Sequence, residues 1–339
     1  MGDMIDRDAP QLGFKFMTYT DVTLFATTFS HCTWDISGII GFMKALELVL
    51  DGRDDEVPTL LGARTDILAE IASQHKSHNQ DDLLLKMVSQ KKVERSERRL
   101  PPLEERIIRV PFEILQRLQK RLVDEDANGD QETWTTYQPD ELFLAFIVQQ
   151  VARAVPEPHP LNLLNILNAR LVVPSLAKAK GIYMQNLVLV APNRLSPEVS
   201  SGPLWRTALS QRHCLAESTT PENIARSLST VLGAIEADVD TTAIASAGDA
   251  LPLLINNLNR FTNDLDVDFS SAVVRQGDTS EARRNAIGTA DFCYLSIPNN
   301  PFDMMRMTML GSYNGDACWM FGELPGRAWE LLQVTLDEL

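Results

Sequence analysis

The chain has 339 residues, 44% of them hydrophobic, and its 31 Lys and Arg against 46 Asp and Glu give a net charge of −15. A chain of this length and composition can bury a large core, either as one α/β unit or as two domains. The acidic balance argues against a phosphate-binding surface of the kind that nucleic-acid-binding proteins carry. We therefore expect small molecules or proteins as partners, with no nucleic acid and no membrane.

The sequence lacks the usual marks of secretion or membrane insertion. No stretch reaches the roughly 18 uninterrupted apolar residues of a membrane span, and the opening MGDMIDRDAP has no basic segment followed by an apolar one. The four cysteines, Cys32, Cys214, Cys293 and Cys318, lie far apart and form no CxxC pair. The simplest interpretation is a reduced, cytoplasmic protein.

The first half of the chain alternates apolar elements with charged segments. DVTLFATTFS (21–30) is rich in β-branched and aromatic residues, which predicts a buried strand that ends at His31. The apolar residues over 36–50 mostly follow helical spacing and predict a helix directly after it. Residues 75–105 are charged and interrupted by prolines, which indicates a long surface crossover. RIIRVPFEILQRLQKRL then predicts a strand and an amphipathic helix, with a domain boundary near residue 131.

The second half mixes strands and helices without strict alternation. PDELFLAFIVQQVARAV predicts a helix, because Pro followed by two acidic residues favours a helix N-terminus. LLNILNARLVVP and IYMQNLVLVAP predict two buried strands. Further helices are predicted at 203–213, 221–236 and 242–259, and further strands at 267–275, 289–297, 305–311 and 315–321. This pattern favours an α/β protein with a mixed sheet.

One loop resembles a calcium site but lacks part of the ligand set. DEDANGD places Asp124, Asp126, Asn128 and Gly129 at positions 1, 3, 5 and 6 of a calcium loop. The bidentate Glu that closes such a site at position 12 is replaced by Thr135. We therefore predict a loop without a specific metal.

The remaining histidines offer no clear site. His75 and His78 have the spacing of a metal pair, but the charged segment around them offers no third ligand in register. His159 lies between prolines, and His213 has Cys214 beside it without an identifiable acid partner. Each is interpreted as a surface or packing residue.

The strongest candidate site is SHCTWDISG, in which His31 precedes Asp35 by one helical turn and Gly38 by two. A histidine at the end of a buried strand can project into a cleft as a general base, while the acid holds the turn in shape. The chain has no Gly-rich phosphate loop and no Gly-x-Ser-x-Gly elbow, so nucleotide hydrolysis and serine-hydrolase chemistry lose support. On these residues alone, a capped turn with a satisfied histidine is the alternative.

This stretch resembles the His-x-x-x-Asp-x-x-Gly motif of the BAHD acyltransferases, especially fungal members similar to trichothecene 3-O-acetyltransferase. VPTLLGARTDIL, WTTYQPDELFLAFIVQQVARA and LNARLVVP resemble further segments of these enzymes in the same order. GIYMQNLVLV is similar to the family's Tyr-x-Gly-Asn strand, with Tyr183 and Asn186 kept and Gln185 in place of Gly. Two features depart from the family: DFSSA from Asp268 stands for Asp-Phe-Gly-Trp-Gly, and His31 lies so near the start that part of the first domain is expected to be absent.

The resemblance implies a two-domain, chloramphenicol-acetyltransferase-like α/β fold with mixed sheets. A partial first domain would cover residues 1–131, and a C-terminal acyltransferase domain would cover residues 132–339. His31 would be the catalytic base, and Asp35 would pair with Arg170. The structural support residues implied by the family are Asp35, Gly38, Arg170 and Asp268.

We therefore expect acyl-CoA-dependent transfer of an acyl group to a hydroxyl or amine of a small secondary metabolite, with acyl-CoA as co-substrate and no permanently bound cofactor or metal. Two alternatives stay open: a truncated, non-catalytic relative that binds a ligand or partner, and a histidine-based cyclase or dehydratase on the same fold. The strand before His31 is expected to have an unpaired edge or an uncovered apolar face, because the family's first sheet uses preceding residues. Self-association, or docking on a second polypeptide that completes the first domain, would then follow.

Overall fold

The computed structural model describes residues 6–20, 22–74, 100–125, 136–236, 249–259, 267–277, 286–290, 304–311 and 317–339. The strands are β1 (Leu12–Thr18), β2 (Thr23–Phe29), β3 (Leu60–Leu61), β4 (Leu103–Pro111), β5 (Leu161–Asn168), β6 (Ile182–Tyr183), β7 (Val188–Leu195), β8 (Leu251–Asn257), β9 (Met305–Gly311) and β10 (Ala317–Pro325). The helices are α1 (Ile36–Leu50), α2 (Ile67–Gln74), α3 (Phe112–Glu125), α4 (Pro139–Ala154), α5 (Ala169–Val172), α6 (Pro174–Ala177), α7 (Pro197–Ser200), α8 (Leu204–Ser218), α9 (Pro221–Glu236) and α10 (Gly326–Glu338). In the described ranges, short 3-10 turns lie at Asp54–Glu56 and Ser270–Ala272.

The largest sheet has six strands in the order β4-β10-β9-β8-β5-β7. Strand β8 runs parallel to both β5 and β9, and the other neighbouring pairs are antiparallel. Pro192 lies in β7, an edge strand among the described residues, and edge strands are where sheets accommodate proline. The mixed α/β architecture that the sequence predicts is therefore confirmed.

Helix α4 forms the centre of the main core. It begins at Pro139 behind a capping box between Gln138 and Glu141, and its Phe143 and Ile147 are fully buried. The inward-facing methionines of β9 and residues of α3 and α10 belong to the same core cluster. Each large apolar side chain buried in this way stabilises the fold by about 1.5–3 kcal/mol.

The six-stranded sheet crosses the domain boundary expected near residue 131. Strand β4 pairs with β10 from Leu103↔Pro325 to Pro111↔Ala317. The apolar face of α3, including Leu118 and Leu122, is buried in the core that α4 organises. The polypeptide from β4 to the end of α3 therefore shares a sheet and a core with elements that follow residue 136.

The strand before His31 belongs to a separate antiparallel hairpin, formed by β1 and β2. The Phe16 and Phe25 rings stack at 4.6 Å, and Phe14 stacks on Phe42 of α1. Within the described residues this hairpin is a two-stranded sheet of its own. Phe16 is 65% exposed and Phe14 is 45% exposed, so the hairpin is largely open to solvent rather than buried as predicted.

Several local predictions were wrong. Strand β1 was not predicted, and β8 occupies part of the stretch 242–259 that was expected to be helical. A buried parallel strand is a short apolar run, which periodicity alone does not distinguish from a helix segment. The expected strand at 267–275 is a loop with a 3-10 turn, and most of the expected strand at 289–297 lies outside the described residues.

None of the helices in the described ranges is long and apolar enough to cross a membrane.

Candidate active site

His31 lies in a tight turn that connects β2 to α1. The amides of Thr33 and Trp34 both donate to the carbonyl of Ser30, at 3.1 and 3.3 Å, and the Thr33 hydroxyl donates to the same oxygen at 2.9 Å. Asp35 then serves as the N-cap of α1. The turn presents His31 on the surface, and its imidazole has no hydrogen-bond partner among the described residues. Its ring centroid lies 6.1 Å from that of Phe29.

The Asp35 carboxylate is buried and fully engaged. Its Oδ1 accepts a hydrogen bond from Gly38 N at 2.9 Å, which caps the helix. Its Oδ2 accepts from Arg170 Nη1 at 2.8 Å and from Leu187 N at 3.0 Å. Charge-assisted hydrogen bonds of this kind are the strongest that proteins form. The carboxylate therefore ties the His31 turn to two distant segments of the chain.

The Arg170 guanidinium uses all five of its N–H groups within the protein. Nη1 donates to Asp35 and to Asn168 Oδ1, and Nε donates to the Tyr183 carbonyl. Nη2 donates to the carbonyls of Tyr183 and Gln185, at 2.8 and 2.6 Å. A guanidinium has five donors in a rigid fork, and none is left for a substrate. The structure thus brings Asp35 and Arg170 together, in an arrangement suited to support rather than to binding.

Gly38 is required by a close backbone approach. A Cβ on Gly38 would overlap the carbonyl oxygen of Met184 and lie 2.9 Å from its carbonyl carbon. Because backbone atoms cannot move aside as a flexible side chain does, only glycine fits at this position. The first turn of α1 therefore packs directly against the backbone of the segment that precedes β7.

That segment, residues 183–187, is called the cradle below, and its Gln185, Asn186 and Leu187 contact the His31 turn. Trp34 forms an isolated β-bridge with Gln185, and the Asn186 side chain donates to the His31 carbonyl at 2.6 Å. Gln185, which stands where the family has glycine, donates from Nε2 to the Thr65 carbonyl at 3.2 Å. Next to the cradle, Asn168 and Ser37 add a side-chain hydrogen bond of 2.9 Å.

Asp268 lies at the other end of α1. Its backbone N donates to Glu47 Oε2 at 3.2 Å, and its Oδ1 accepts from Ser270 N at 2.7 Å. Glu47 is twelve residues beyond Asp35, which corresponds to about 18 Å along a helix. Asp268 is therefore remote from His31 and holds a turn against the end of α1.

The other candidate residues are not brought to the His31 turn. His213 and Cys214 line an open surface groove with Trp205, and no residue of the His31 turn contributes to it. His75, His78 and most of the calcium-like loop lie outside the described residues. In the described part of the chain, no group of three or more His, Cys, Asp or Glu side chains could hold a metal ion.

Comparison with curated proteins relates the chain to fungal acyltransferases, although no family model matches it. It is 26% identical over 359 residues to acetyltransferase adrJ of Penicillium roqueforti, covering 99% of this chain and 70% of adrJ. It is 25% identical over 347 residues to O-acyltransferase ausP of Aspergillus calidoustus, covering 98% of this chain and 67% of ausP. The chain therefore spans 67–70% of the length of these relatives.

Solved structures share its fold. TRI101 of F. sporotrichioides, complexed with coenzyme A and T-2, superposes with a TM-score of 0.63 at 13% identity, over 96% of this chain and 68% of TRI101. Vinorine synthase superposes with a TM-score of 0.55 at 12% identity, over 97% of this chain and 66% of that enzyme.

The mixed sheet and these similarities define an acyltransferase with the chloramphenicol-acetyltransferase-like fold. Its sequence is similar to those of fungal acetyltransferases and O-acyltransferases, and its fold is that of TRI101 and vinorine synthase. The resemblance to these acyltransferases and the fold that the sequence predicts are therefore confirmed.

Proposed function

We propose that the protein transfers an acyl group from acyl-CoA to a hydroxyl or amine of a small secondary metabolite, with His31 as the general base. The observation that carries this proposal is an exposed imidazole on a turn whose backbone is tied down by Asp35 and the cradle. A base held in one position while its ring stays open to solvent is suited to proton transfer from a bound acceptor.

The reaction balances with one proton-transferring group. His31 takes the proton from the acceptor O–H or N–H as that atom attacks the thioester carbonyl. The tetrahedral intermediate then collapses, the C–S bond breaks, and the imidazolium returns the proton to the leaving CoA thiolate. The products are the acylated acceptor and free CoA, without a covalent enzyme intermediate.

Asp35 and Arg170 act through the backbone in this proposal. Both carboxylate oxygens of Asp35 are taken by Gly38, Arg170 and Leu187, so Asp35 does not need to contact the imidazole to affect it. Its role is to keep the His31 turn in the productive geometry, since small displacements of a catalytic group cost large factors in rate. Gly38 and Asp268 support the two ends of α1.

The relatives' names and the presence of coenzyme A in TRI101 support acyl-CoA as co-substrate. The expectation of no permanently bound cofactor stays a prediction. We also propose that the β1–β2 hairpin pairs with a second copy of the chain or with another polypeptide. The exposed aromatic side chains of Phe14 and Phe16 support this association, because open strand edges and apolar patches recruit other chains. A cytoplasmic location stays a prediction.

The test is an acyl-transfer assay with labelled acetyl-CoA and a panel of alcohols and amines, accompanied by a CoA-binding titration. Transfer should occur, and His31→Ala should lower turnover by about 10²- to 10⁴-fold without unfolding the protein. His213→Ala, an exposed histidine on α8, is the matched control. Binding of CoA without transfer would favour the non-catalytic alternative. The absence of both CoA binding and acyl transfer would favour the cyclase or dehydratase alternative.

A further inference from the structure

Asn186 is the cradle residue whose side chain reaches His31 itself. Its Nδ2 donates to the His31 carbonyl at 2.6 Å, across 155 residues of sequence. The acceptor is a carbonyl oxygen, so the amide nitrogen must face it, and the orientation of the Asn186 amide follows from chemistry. The hydrogen bond fixes the backbone of the base directly, whereas Asp35 acts four positions further along the turn.

The cradle gives Asn186 little freedom to move. Its neighbours on both sides are held: Arg170 binds the Gln185 carbonyl at 2.6 Å, and the Leu187 amide donates to Asp35 at 3.0 Å. The backbone of Asn186 is therefore fixed relative to the same turn that its side chain contacts. A residue whose own backbone is fixed in this way can hold its hydrogen-bonding partner in a fixed position.

The other end of the Asn186 amide is unusual. Its Oδ1 is buried and has no hydrogen-bond partner among the described residues. Buried polar atoms are nearly always paired, and an unpaired one costs stability. The donor contact to the His31 carbonyl and this unpaired oxygen therefore lie on one side chain beside the proposed base.

We propose that Asn186 is a positioning residue for His31 in acyl transfer, an inference that rests on the proposed function. The Nδ2 donor holds the His31 backbone, and through it the imidazole, in the orientation that accepts the proton. Loss of this donor leaves the base present but misplaced. The rate of transfer therefore falls, while the affinity for acetyl-CoA changes little.

The first test compares Asn186→Ala with Asn223→Ala, a matched control. Asn223 Nδ2 also donates to a backbone carbonyl, that of Glu217, at 2.6 Å, but on α8 and α9. We expect Asn186→Ala to lower kcat by about 10- to 100-fold, with KM for acetyl-CoA unchanged and a melting temperature close to that of the control. Asn186→Asp keeps the side-chain volume and removes the donor, so it should show the same loss if the Ala variant folds poorly. Unchanged kcat in both variants would overturn the proposal.

The second test separates positioning from general stability through a double-mutant cycle. If Asn186 acts through His31, Asn186→Ala should cost less than about twofold in the His31→Ala background. An equal loss in both backgrounds would contradict the inference. Full activity of His31→Ala alone would instead refute the proposed function.

A third, spectroscopic test does not depend on activity. With ¹³C-labelled histidine, the His31 Cε1 signal, identified by its absence in His31→Ala, should shift in Asn186→Ala and stay in place in Asn223→Ala. An unchanged His31 signal in the Asn186 variants would show that the hydrogen bond does not set the environment of the base, and would overturn the proposal.

Discussion

Asp35 and Arg170 form a buried ion pair of 2.8 Å between side chains that lie 135 residues apart in sequence. The pair joins the N-cap of α1, the helix that follows His31, to α5, the short helix that follows strand β5 of the six-stranded sheet. Its exposure is low on both sides, with 6% of the Asp35 side chain and 14% of the Arg170 side chain accessible. The geometry of the site therefore depends on a contact that crosses the fold.

Asp35→Asn should lower stability and activity together. The amide keeps an oxygen for the Gly38 cap but removes the charge that Arg170 needs, and breaking a buried pair by losing one partner costs about 3–5 kcal/mol. Asp66→Asn is the control, because Asp66 caps a helix through Ala69 N at 3.0 Å on an exposed surface. Thermal melting and transfer assays decide the matter. Normal melting with selective loss of catalysis would place Asp35 in direct contact with the reaction.

Gly38→Ala should destabilise the protein although alanine favours helices. The added Cβ overlaps the Met184 carbonyl oxygen, and overpacking of this kind costs about 1–3 kcal/mol or more. Gly233→Ala is the matched helical control, since nothing lies within 4 Å of its Cβ position. That control should gain up to about 1 kcal/mol. Chemical denaturation measures the free energy of unfolding of both variants. Equal values would show that the cradle backbone can move away from α1 to make room for the added Cβ.

Burial should separate the three cysteines in the described ranges, Cys32, Cys214 and Cys318, by reactivity. Burial, helped by Asp140, raises the pKa of the Cys318 thiol to about 12, so at pH 8 only about one molecule in 10⁴ carries the reactive thiolate. Burial also raises the pKa of Cys214, whereas Cys32 is exposed beside His31. Mass spectrometry after iodoacetamide treatment should find Cys32 modified first and Cys318 modified after unfolding. Bound CoA should protect Cys32 and leave Cys214 unaffected. Rapid labelling of Cys318 in the folded protein would contradict its burial.

The local part of the site was predictable from sequence. The strand β2, the turn at His31 and the helix α1 follow from short apolar patterns and from an N-cap residue, all of which act within a few residues. Helix α4 begins at Pro139 as its proline and acidic residues predict. Local hydrogen bonds and hydrophobic periodicity determine these elements, so they can be predicted from a single sequence.

The non-local part was not predictable from the residues alone. The pairing of Asp35 with Arg170 came from the family resemblance, and the contacts of Asn186 with His31 and of Met184 with Gly38 were not predicted at all. They depend on the path of the cradle past α1, which brings together residues more than a hundred positions apart. Strand β8 was also missed, because its neighbours β5 and β9 are distant in sequence and give no local signal.

The β1–β2 hairpin should make the purified chain self-associate. Phe16 is 65% exposed, Phe14 is 45% exposed and Leu24 is 44% exposed. The hairpin therefore presents several large apolar side chains next to strand edges that have no partner strand within the described residues. Light scattering of the full chain should therefore give a mass above 37.8 kDa. Phe16→Ser should shift the protein toward that value, because it removes an aromatic ring from the surface without disturbing the main core. Val334→Ser, on α10 and 55% exposed, is the control and should leave the mass unchanged. A monodisperse, fully active monomer of the unmodified chain would show that the hairpin needs no partner.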